Sequence, residues 1–563
     1  MSSAKVVKSS TVFIGILIIW FIINIIQSVV TDIIPDESYY FFYSKELAWG
    51  YYDHPPLVAL MISISSLLFS NELAVRFLTV LLQLFTLLLI WKTIPDKKES
   101  TEDVLAFFGI SASIVMFVTY GFVTTPDSPL LFFTALFILS YKRFLVRESL
   151  LNSLMLSIAM AGLVYSKYQG GLVIVFVVLS NPRLLLNYKF LLSGIAALVL
   201  LVPHFAWQYN NDFPSLMYHT IGRSKPFKLR YFLEYLPNQA ASFNPVALFI
   251  TGYILFKYRF KDSFEKSLVY VIVGFILFFW ITTLRGHAQP QWTIAASIPM
   301  IIIIFSKSRS DHSVKKMTIR YLFPTILILF TARVILACDS FPVQLEFHNQ
   351  NRWSQNIKEI SQGRAVIFRD GYQKPSIYSF YTKEDAFTVN SVFYRQNQYD
   401  LHGFYNNFLN RPVVIVTDRY DSLAIPHTLY NRDTLYLHFS ESIVLTNDVS
   451  IDFSLSDQVI KRGDKLFLTI QMFNKGINNL PFNHPQHPVS LHAVFLGKGF
   501  RKSIQAQTEV PVNNLEGGEN KNLRAHIIVP EDFPTGLFNL TVSLKAYPFR
   551  EGYNSKALKL TIE

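Results

Sequence analysis

The hydrophobic positions of this chain form long uninterrupted runs up to about residue 338 and alternate with polar positions after about residue 451. A run of about twenty apolar residues is long enough to cross roughly 30 Å of hydrocarbon. The first run, 11–30, is too long and uniform for a signal-peptide core, and no small-residue cleavage site follows it, so we predict a retained span. Ten further spans are predicted near 73–92, 104–122, 129–146, 149–166, 169–180, 190–205, 240–256, 267–284, 290–306 and 319–338.

The apolar stretch 55–70 is a twelfth candidate span, and the basic residues decide against it. If it does not cross, nearly every Lys and Arg cluster between the runs falls on the cytoplasmic side, as the positive-inside bias requires. We therefore predict a helix in the outer interface, started by Pro55 and Pro56. The loop 206–239 is the exception: either this arrangement is wrong there, or its charges meet something anionic. Those charges are Arg223, Lys225, Lys228 and Arg230.

The chain changes character after Cys338. Residues 339–450 contain two short apolar runs, RAVIFRDG and RPVVIVTD, which are typical of buried strands and predict a small α/β unit. From 451 onward at least six segments alternate with period two between turn signals, which predicts a β-sandwich. The predicted domains are therefore 1–338, 339–450 and 451–563, the last two extracytoplasmic.

Composition and charge narrow the class further. The chain has 563 residues, of which 51% are hydrophobic and 50 are Phe, more apolar surface than a soluble chain needs. The formal charge of +12 resides in short loops between apolar runs, a pattern of membrane topology and not of nucleic-acid binding. The single cysteine, Cys338, excludes an intrachain disulfide. We predict a multi-pass protein of the inner membrane with no nucleic-acid partner.

The chemically active side chains lie at one membrane face in this arrangement. The predicted spans contain no Asp or Glu and only Arg76 and Arg333, each near an outer end where its side chain is expected to reach the interface. Four outer segments carry the rest: PDESYYFFYSKELAWGYYDHPP, TTPDSPLLFF, YSKYQGG and LRGHAQPQW. Their candidate residues are Asp36, Glu37, Asp53, His54, Asp127, Lys167, Tyr168, Arg285 and His287.

These residue types suit one reaction. A carboxylate can accept the proton of an attacking hydroxyl, and Lys, Arg or His can hold a phosphate and stabilise its charge as it leaves. Together they fit transfer of a sugar from a lipid phosphate at the membrane surface. Simpler roles stay open: Asp127 as a helix N-cap, Lys167 as a helix-end residue near headgroups, and Tyr39 to Tyr43 as an interfacial aromatic belt, which we favour over sugar stacking.

A retained first span followed by DESYY, WGYYDHPPL and NELAVRF resembles the PMT-like membrane glycosyltransferases of the GT-C fold. That family includes protein O-mannosyltransferases and the aminoarabinose transferases that modify lipid A. The resemblance covers about 11–300, is best over 32–80, and favours the bacterial branch that uses undecaprenyl phosphate. It implies an all-α membrane domain, an inverting glycosyltransferase, a polyprenyl-phosphate sugar donor, and an extracytoplasmic acceptor that is a protein, lipid A or another glycan.

The resemblance also implies roles for the first two outer loops. Asp36 matches the catalytic acid and would be the general base, with Glu37 as its supporting partner. Asp53 matches a position that serves substrate or metal binding in relatives. His54 stands where some relatives have Lys. The acid of the second outer loop is Asp127, counted with the catalytic group.

The later segments carry the donor-binding roles that the resemblance implies. Lys167 matches a residue that contacts the donor phosphate, and Tyr168 beside it is assigned to the substrate. Arg285 and His287 lie in a looser match and would assist. A divalent metal ion held by Asp53 and His287 is the one cofactor considered, because carboxylate and imidazole suit several metals.

Three other functions compete with a transferase. A transporter or lipid-linked glycan flippase usually places ionisable groups near the midplane, whereas these spans contain no acid. A lipid-linked polymerase or ligase would act on the same face and stays open. A surface-binding β-sandwich with a membrane anchor needs only one or two spans.

Overall fold

The computed structural model describes residues 8–94, 100–222, 226–401, 403–409, 411–429 and 433–563. The chain divides into two compact units, 1–350 and 351–563. The first unit is helical, and the second contains all the strands of the described residues.

The first unit contains seventeen α-helices among its described residues. They are α1 (Ser9–Val30), α2 (Pro35–Ser44), α3 (Leu57–Ser66), α4 (Leu73–Thr93), α5 (Thr101–Ser113), α6 (Val115–Thr119), α7 (Asp127–Val146), α8 (Leu150–Ser166), α9 (Gly170–Ser180), α10 (Tyr188–Asn210), α11 (Pro214–Met217), α12 (Leu229–Phe243), α13 (Pro245–Lys257), α14 (Ser263–Thr282), α15 (Ser297–Ser310), α16 (His312–Met317) and α17 (Thr325–Leu336). Because α7 packs along both α4 and α8, and α4 packs along α1, the loops that follow α1, α6 and α8 can contribute to one site.

Seven helical segments of the described chain are long and apolar enough to cross a membrane, or eight if α12 and α13, bent by 101°, count as one span. The chain is thus a multi-pass membrane protein, as predicted. Three predicted spans form shorter helices. The span predicted near 104–122 is divided between α5, with 13 residues, and α6, with 5, while α8 has 17 residues and α9 has 11. A helix of 11 residues is about 16 Å long, roughly half of the hydrocarbon thickness. The predicted count of eleven therefore stays a prediction.

The segment between α1 and α4 contains two short helices. α2 starts at Pro35, where a missing backbone N–H costs nothing because the first N–H groups of a helix have no intrahelical partner. α3 has 10 residues, which makes it about 15 Å long and too short to cross. That length agrees with the predicted interfacial helix.

The second unit begins with α18 (Gln350–Ser361) and a five-stranded sheet that carries α19 (Gln373–Thr382). Its strands are β1 (Ala365–Arg369), β2 (Ala386–Val389), β3 (Val413–Thr417), β4 (Ile425–Thr428) and β5 (Thr434–Ser440), in the order β2-β1-β3-β5-β4. β1 is parallel to β2 and β3, and the other pairs are antiparallel. The two runs predicted as buried strands are β1 and β3.

The rest of the second unit is β-rich, as predicted. Its strands are β6 (Val449–Leu455), β7 (Val459–Ile460), β8 (Lys465–Asn474), β9 (Leu480–Pro481), β10 (Val489–Gly497), β11 (Phe500–Gln505), β12 (Gln507–Thr508), β13 (Asn514–Leu515), β14 (Asn520–Ile528), β15 (Gly536–Ala546) and β16 (Leu558–Ile562). Two sheets, β11-β10-β15-β16-β7 and β12-β14-β8-β6, share one hydrophobic core. Alternate residues of β8 enter it, as period-two patterning requires. The predicted domain limits at 338 and 450 stay predictions.

Candidate active site

Asp36 lies in the first turn of α2, just beyond the first span. A helix N-terminus carries partial positive charge, so it stabilises a carboxylate in this position. The side chain is half-buried. Asp36 interacts electrostatically with Tyr120, Asp127 and Glu346, which brings three carboxyl groups from separate loops into one site.

Glu37, the next residue, is fully buried and ionically paired. Its carboxylate accepts hydrogen bonds from Arg76 Nε at 2.8 Å and Nη2 at 2.5 Å. The backbone N–H groups of Ile34, at 3.1 Å, and Thr124, at 2.9 Å, donate to the same two oxygens. Because both oxygens are occupied, Glu37 is suited to position its neighbour Asp36, not to remove a proton itself.

The sequence expectation for Arg76 is wrong: the side chain is completely buried and does not reach the interface. Besides Glu37, its guanidinium donates to the carbonyl oxygens of Ser28, Thr31 and Asp32 at 3.0, 2.7 and 2.9 Å. The last carbonyls of a helix lack intrahelical partners, so the end of α1 supplies acceptors without water. This cluster joins the ends of α1, α2 and α4 to the loop before α7.

Arg333, the other arginine placed in a span, also turns toward α1. Its Nη2 donates to Asn24 Oδ1 at 2.7 Å and its Nε to Gln27 Oε1 at 3.2 Å. The guanidinium carbon lies 4.8 Å from the centre of the Phe122 ring. The polar groups of α1 thus compensate this charge within the helix bundle.

Asp127 and Lys167 form a buried ion pair. Lys167 Nζ lies 2.7 Å from Oδ1 and 2.9 Å from Oδ2, with each side chain only 5% exposed. Asp127 begins α7 and Lys167 ends α8, so packing of the two helices brings the pair together. Charged hydrogen bonds of this kind are short and strong. The pair places a lysine and a carboxylate in the same site as Asp36.

Asp53 and His54 belong to an aromatic group along α2. The Tyr43 hydroxyl donates to Asp53 Oδ1, and the His54 ring lies 5.6 Å from the Tyr40 ring. Tyr39, Tyr40 and Tyr43 are buried, so the interpretation as an interfacial belt is wrong for them. They pack against one another and, through Tyr43, against Tyr51 at 4.2 Å, because α2 folds back over the loop that follows it.

Tyr168 connects this group to two histidines that the sequence analysis missed. Its hydroxyl donates to His204 Nε2 at 3.1 Å, because His204 Nδ1 donates to the Trp49 carbonyl at 2.6 Å and leaves Nε2 as the acceptor. The His219 ring lies 5.6 Å from Tyr168 and 6.1 Å from His54. Burial, with the charge of Asp53 adding, raises the pKa of the Tyr168 phenol, which therefore stays protonated.

The signal that could have identified His204 is its spacing from Gln208. The two residues are four positions apart on α10, which puts them on one helix face. Gln208 Nε2 donates to the Tyr168 hydroxyl at 3.0 Å. His219 lies in the loop noted only for its basic residues, and nothing in the local sequence marks it.

Glu346 is a third acid of the site and was also missed. Phe347 beside it packs in a hydrophobic cluster with Phe122 and Ile34, and the ring centres of the two phenylalanines are 6.4 Å apart. Glu346 itself is exposed, and partial desolvation, with the like charge of Asp36 adding, raises the pKa of its carboxyl. Segment 345–348 thus returns from the end of α17 to the first outer loop.

Arg285 and His287 are exposed. The ring contact of His287 is with the segment 226–243 and not with the residues around Asp36 and Lys167. The His287 ring lies 5.5 Å from Tyr231, and Lys228 Nζ lies 5.8 Å from the same tyrosine. Arg230 of the basic loop pairs with Glu234 at 2.5 Å. Arg223 and Lys225 lie outside the described residues.

The predicted divalent metal site gains no support from these contacts. Asp53 accepts a hydrogen bond from Tyr43, whereas His287 packs against Tyr231. Among the residues that the structure describes, no group of three or more His, Cys, Asp and Glu side chains could hold a metal ion. Metal binding by Asp53 and His287 stays a prediction.

A known protein family is similar in sequence to the region of the chain that contains most residues of the candidate site. Residues 53–207 match the family model of dolichyl-phosphate-mannose-protein mannosyltransferases. The lipid A galacturonosyltransferase RgtD of Rhizobium johnstonii is 25% identical over 293 residues, which are 48% of this chain and 60% of that protein. The chain therefore spans about 60% of the length of this curated relative.

The fold is similar to that of ArnT from Cupriavidus metallidurans. The apo structure of ArnT has a TM-score of 0.54 at 14% identity and covers 76% of this chain and 97% of ArnT. The structure of ArnT bound to undecaprenyl phosphate gives the same score at 12% identity. The chain is thus a polytopic membrane protein with the GT-C fold. Its predicted resemblance to the PMT-like membrane glycosyltransferases is confirmed.

Proposed function

We propose that the chain is an inverting glycosyltransferase that moves a sugar from a polyprenyl-phosphate donor to an extracytoplasmic acceptor. The observation that carries this proposal is the position of Asp36, on the first turn beyond the first span and near enough to the Asp127–Lys167 pair for its charge to act on Asp127. The similar protein ArnT binds undecaprenyl phosphate, and the relative RgtD acts on lipid A. A lipid or glycan acceptor therefore has more support than a protein.

In the proposed reaction an acceptor hydroxyl attacks the anomeric carbon from the side opposite the phosphate. A new C–O bond forms to the acceptor while the C–O bond to the donor phosphate breaks, which inverts the anomeric centre. Asp36 takes the hydroxyl proton, and polyprenyl phosphate leaves with the bonding electrons. Lys167 stabilises the charge on the departing phosphate. His54, Tyr168 and His219 offer ring surfaces and hydrogen-bonding groups for the sugar.

The most direct test is an assay of the purified full-length protein in proteoliposomes with a radiolabelled polyprenyl-phosphate sugar and lipid A. A transferase releases polyprenyl phosphate and labels the acceptor. A flippase moves the intact donor across the bilayer without cleaving it, and that result would contradict the proposal. Mass spectrometry of glycans and lipid A from cells with and without the gene would identify the acceptor.

The proposed orientation places the active site and residues 339–563 outside the cytoplasm and 141–144 inside. The test uses a Cys338→Ser background and cells whose outer membrane is permeabilised while the inner membrane stays intact. In these cells we expect a membrane-impermeant maleimide to label Ile477→Cys. Arg143→Cys, also exposed, should be labelled only after lysis. Labelling of Ile477→Cys only after lysis would overturn the orientation and put the proposed site on the wrong side.

Lys167→Ala is expected to weaken donor binding. Losing one charged hydrogen bond to the phosphate should raise the KM for the donor by about 10–100-fold, with a smaller effect on turnover at saturation. Steady-state kinetics at varied donor concentration would measure both constants. Because this change leaves Asp127 unpaired, Lys167→Ala with Asp127→Asn tests whether a folding defect is responsible.

The matched control for that experiment is Lys189→Ala, which removes a partly exposed lysine at the start of α10. It should leave the donor KM unchanged. A normal KM in both Lys167 variants would show that the ion pair holds the two helices together and does no donor binding.

A further inference from the structure

In the five-stranded sheet of the second unit, the strand order singles out the carboxyl ends of β1, β2 and β3 as a candidate ligand site. In open α/β sheets, ligands bind outside the carboxyl ends of parallel strands, where successive connections leave in opposite directions. Here β2 lies on one side of β1 and β3 on the other, so the strand order reverses between β1 and β3, which are parallel. The loops that begin at Asp370, Asn390 and Asp418 all follow the carboxyl ends of these strands.

Four arginines gather at this edge, and we call them the arginine edge: Arg369, Arg419, Arg501 and Arg550. Arg369 ends β1, and its Nη1 donates to the Pro548 carbonyl at 3.0 Å. The Arg550 guanidinium lies 4.1 Å from the centre of the Phe393 ring, and Arg501 donates to the Phe393 carbonyl at 2.5 Å. Burial, together with the like charges of Arg419 and Arg550, lowers the pKa of the Arg369 guanidinium, so these charges act on one another.

The acids near the arginine edge have other partners. Asp370 Oδ1 accepts the Ser391 N–H at 2.8 Å. Asp421 accepts the Tyr547 hydroxyl at 3.0 Å and faces His438 at 3.2 Å. Glu551 lies 3.8 Å from His492. These contacts orient the carboxylates toward the loops and strands. Asp418, also at this edge, pairs with Lys374 at 3.0 Å. Four arginines and one lysine against four acids leave an excess of positive charge.

Aromatic side chains lie beside the arginines. Phe393 and Tyr394 follow β2, and the Arg395 guanidinium lies 5.4 Å from the Tyr372 ring. Tyr372 follows Gly371, whose φ of +90° lets the loop turn closely against the Tyr394 hydroxyl. Phe393 and Tyr394 are half-buried, and arginine beside partly accessible aromatic rings is a combination that suits a sugar carrying a negative charge.

A buried hydroxyl at the same edge is an independent sign of a ligand site. Ser391, directly after β2, is 2% exposed, and its Oγ has no hydrogen-bond partner among the residues that the structure describes. Buried polar groups are rarely left in this state.

We propose that the arginine edge binds a saccharide that carries a phosphate or carboxylate group. The planar guanidinium offers paired N–H groups that match either anion. Arg419 is exposed and Arg550 half-buried, so both can contact a ligand, whereas Arg369 and Arg501 are fixed by carbonyl groups. This recognition site is distinct from the membrane site and does not depend on the proposed transfer reaction.

The test is isothermal titration of the full-length protein in nanodiscs of zwitterionic lipid. The probes are glucose 6-phosphate and galacturonic acid, with glucose and inorganic phosphate as comparisons. We expect at least one anionic sugar to bind more tightly than glucose and more tightly than inorganic phosphate. Which of the two binds distinguishes a phosphate ligand from a carboxylate ligand. Equal binding of glucose, equal binding of inorganic phosphate, or no binding of either anionic sugar would overturn the proposal.

Arg419→Ala should weaken binding of the anionic sugar by at least about tenfold, the effect of one charged hydrogen bond. Arg419→Lys should retain part of the affinity because it keeps the charge. Arg462→Ala, which removes an exposed arginine of the β-rich region, is the matched control and should bind normally. Unchanged affinity in Arg419→Ala, with an unchanged melting temperature, would assign the binding to another site.

Discussion

Asp36→Asn is expected to lower turnover by about 10²–10⁴-fold while protein level and donor affinity stay near those of the unmodified protein. The amide keeps the shape of the side chain and its place in the first turn of α2, but it cannot accept the acceptor's proton. The measurement is single-turnover and steady-state transfer from a polyprenyl-phosphate sugar by purified protein. Glu46→Gln makes the same chemical change at an exposed position of the same loop and should have little effect.

Full turnover in Asp36→Asn would show that Asp36 is not the base and that its role is to stabilise the N-terminus of α2. Glu346→Gln would then test the next candidate base. Glu346 interacts electrostatically with Asp36, and the pKa of the Glu346 carboxyl is raised. If both single variants are fully active, neither Asp36 nor Glu346 is the base. The two variants together therefore distinguish the members of the site.

Arg76→Met is expected to destabilise the protein by about 3–5 kcal/mol, the cost of breaking a buried ion pair by removing one partner. The penalty arises because Glu37 stays buried and charged after its guanidinium is lost. Thermal unfolding of purified protein, followed by fluorescence, would show the lower melting temperature. Arg230→Met breaks the exposed pair with Glu234 and should produce no measurable loss.

A second substitution separates the stability of this cluster from its role in positioning. Arg76→Met with Glu37→Gln removes both charges and should recover much of the melting temperature. Turnover should stay low, because the amide of Gln has only one acceptor oxygen and leaves either the Ile34 or the Thr124 N–H without its partner. A melting temperature unchanged by Arg76→Met would contradict the ion-pair argument, and full turnover in the double variant would contradict the positioning role.

Local patterns in the sequence were sufficient for the elements of the fold. Long apolar runs predict spans, since hydrocarbon thickness sets their length. Period-two alternation predicts the β-rich region, since successive side chains of a strand face opposite sides. The sequence also marks the acid after the first span and the lysine after α8 as candidates, because short motifs and span ends make them visible, and their roles stay predictions. The number of spans was not determined, because α5, α8 and α9 are shorter than a bilayer is thick.

Only the tertiary structure decided which side chains meet. Glu37 pairs with Arg76, and Asp127 with Lys167, across separate helices. Hydropathy placed Arg76 at the interface because it records the cost of a charge in lipid but not the presence of a buried partner. The sequence analysis also missed His204, His219 and Glu346. They reach the site only because α10 packs beside it and because the segment after α17 folds back toward the start of α2. The sequence by itself determined where the apolar runs end and which polar residues follow them, since both depend on local composition. Their partners depend on how the helices pack, which no local pattern encodes.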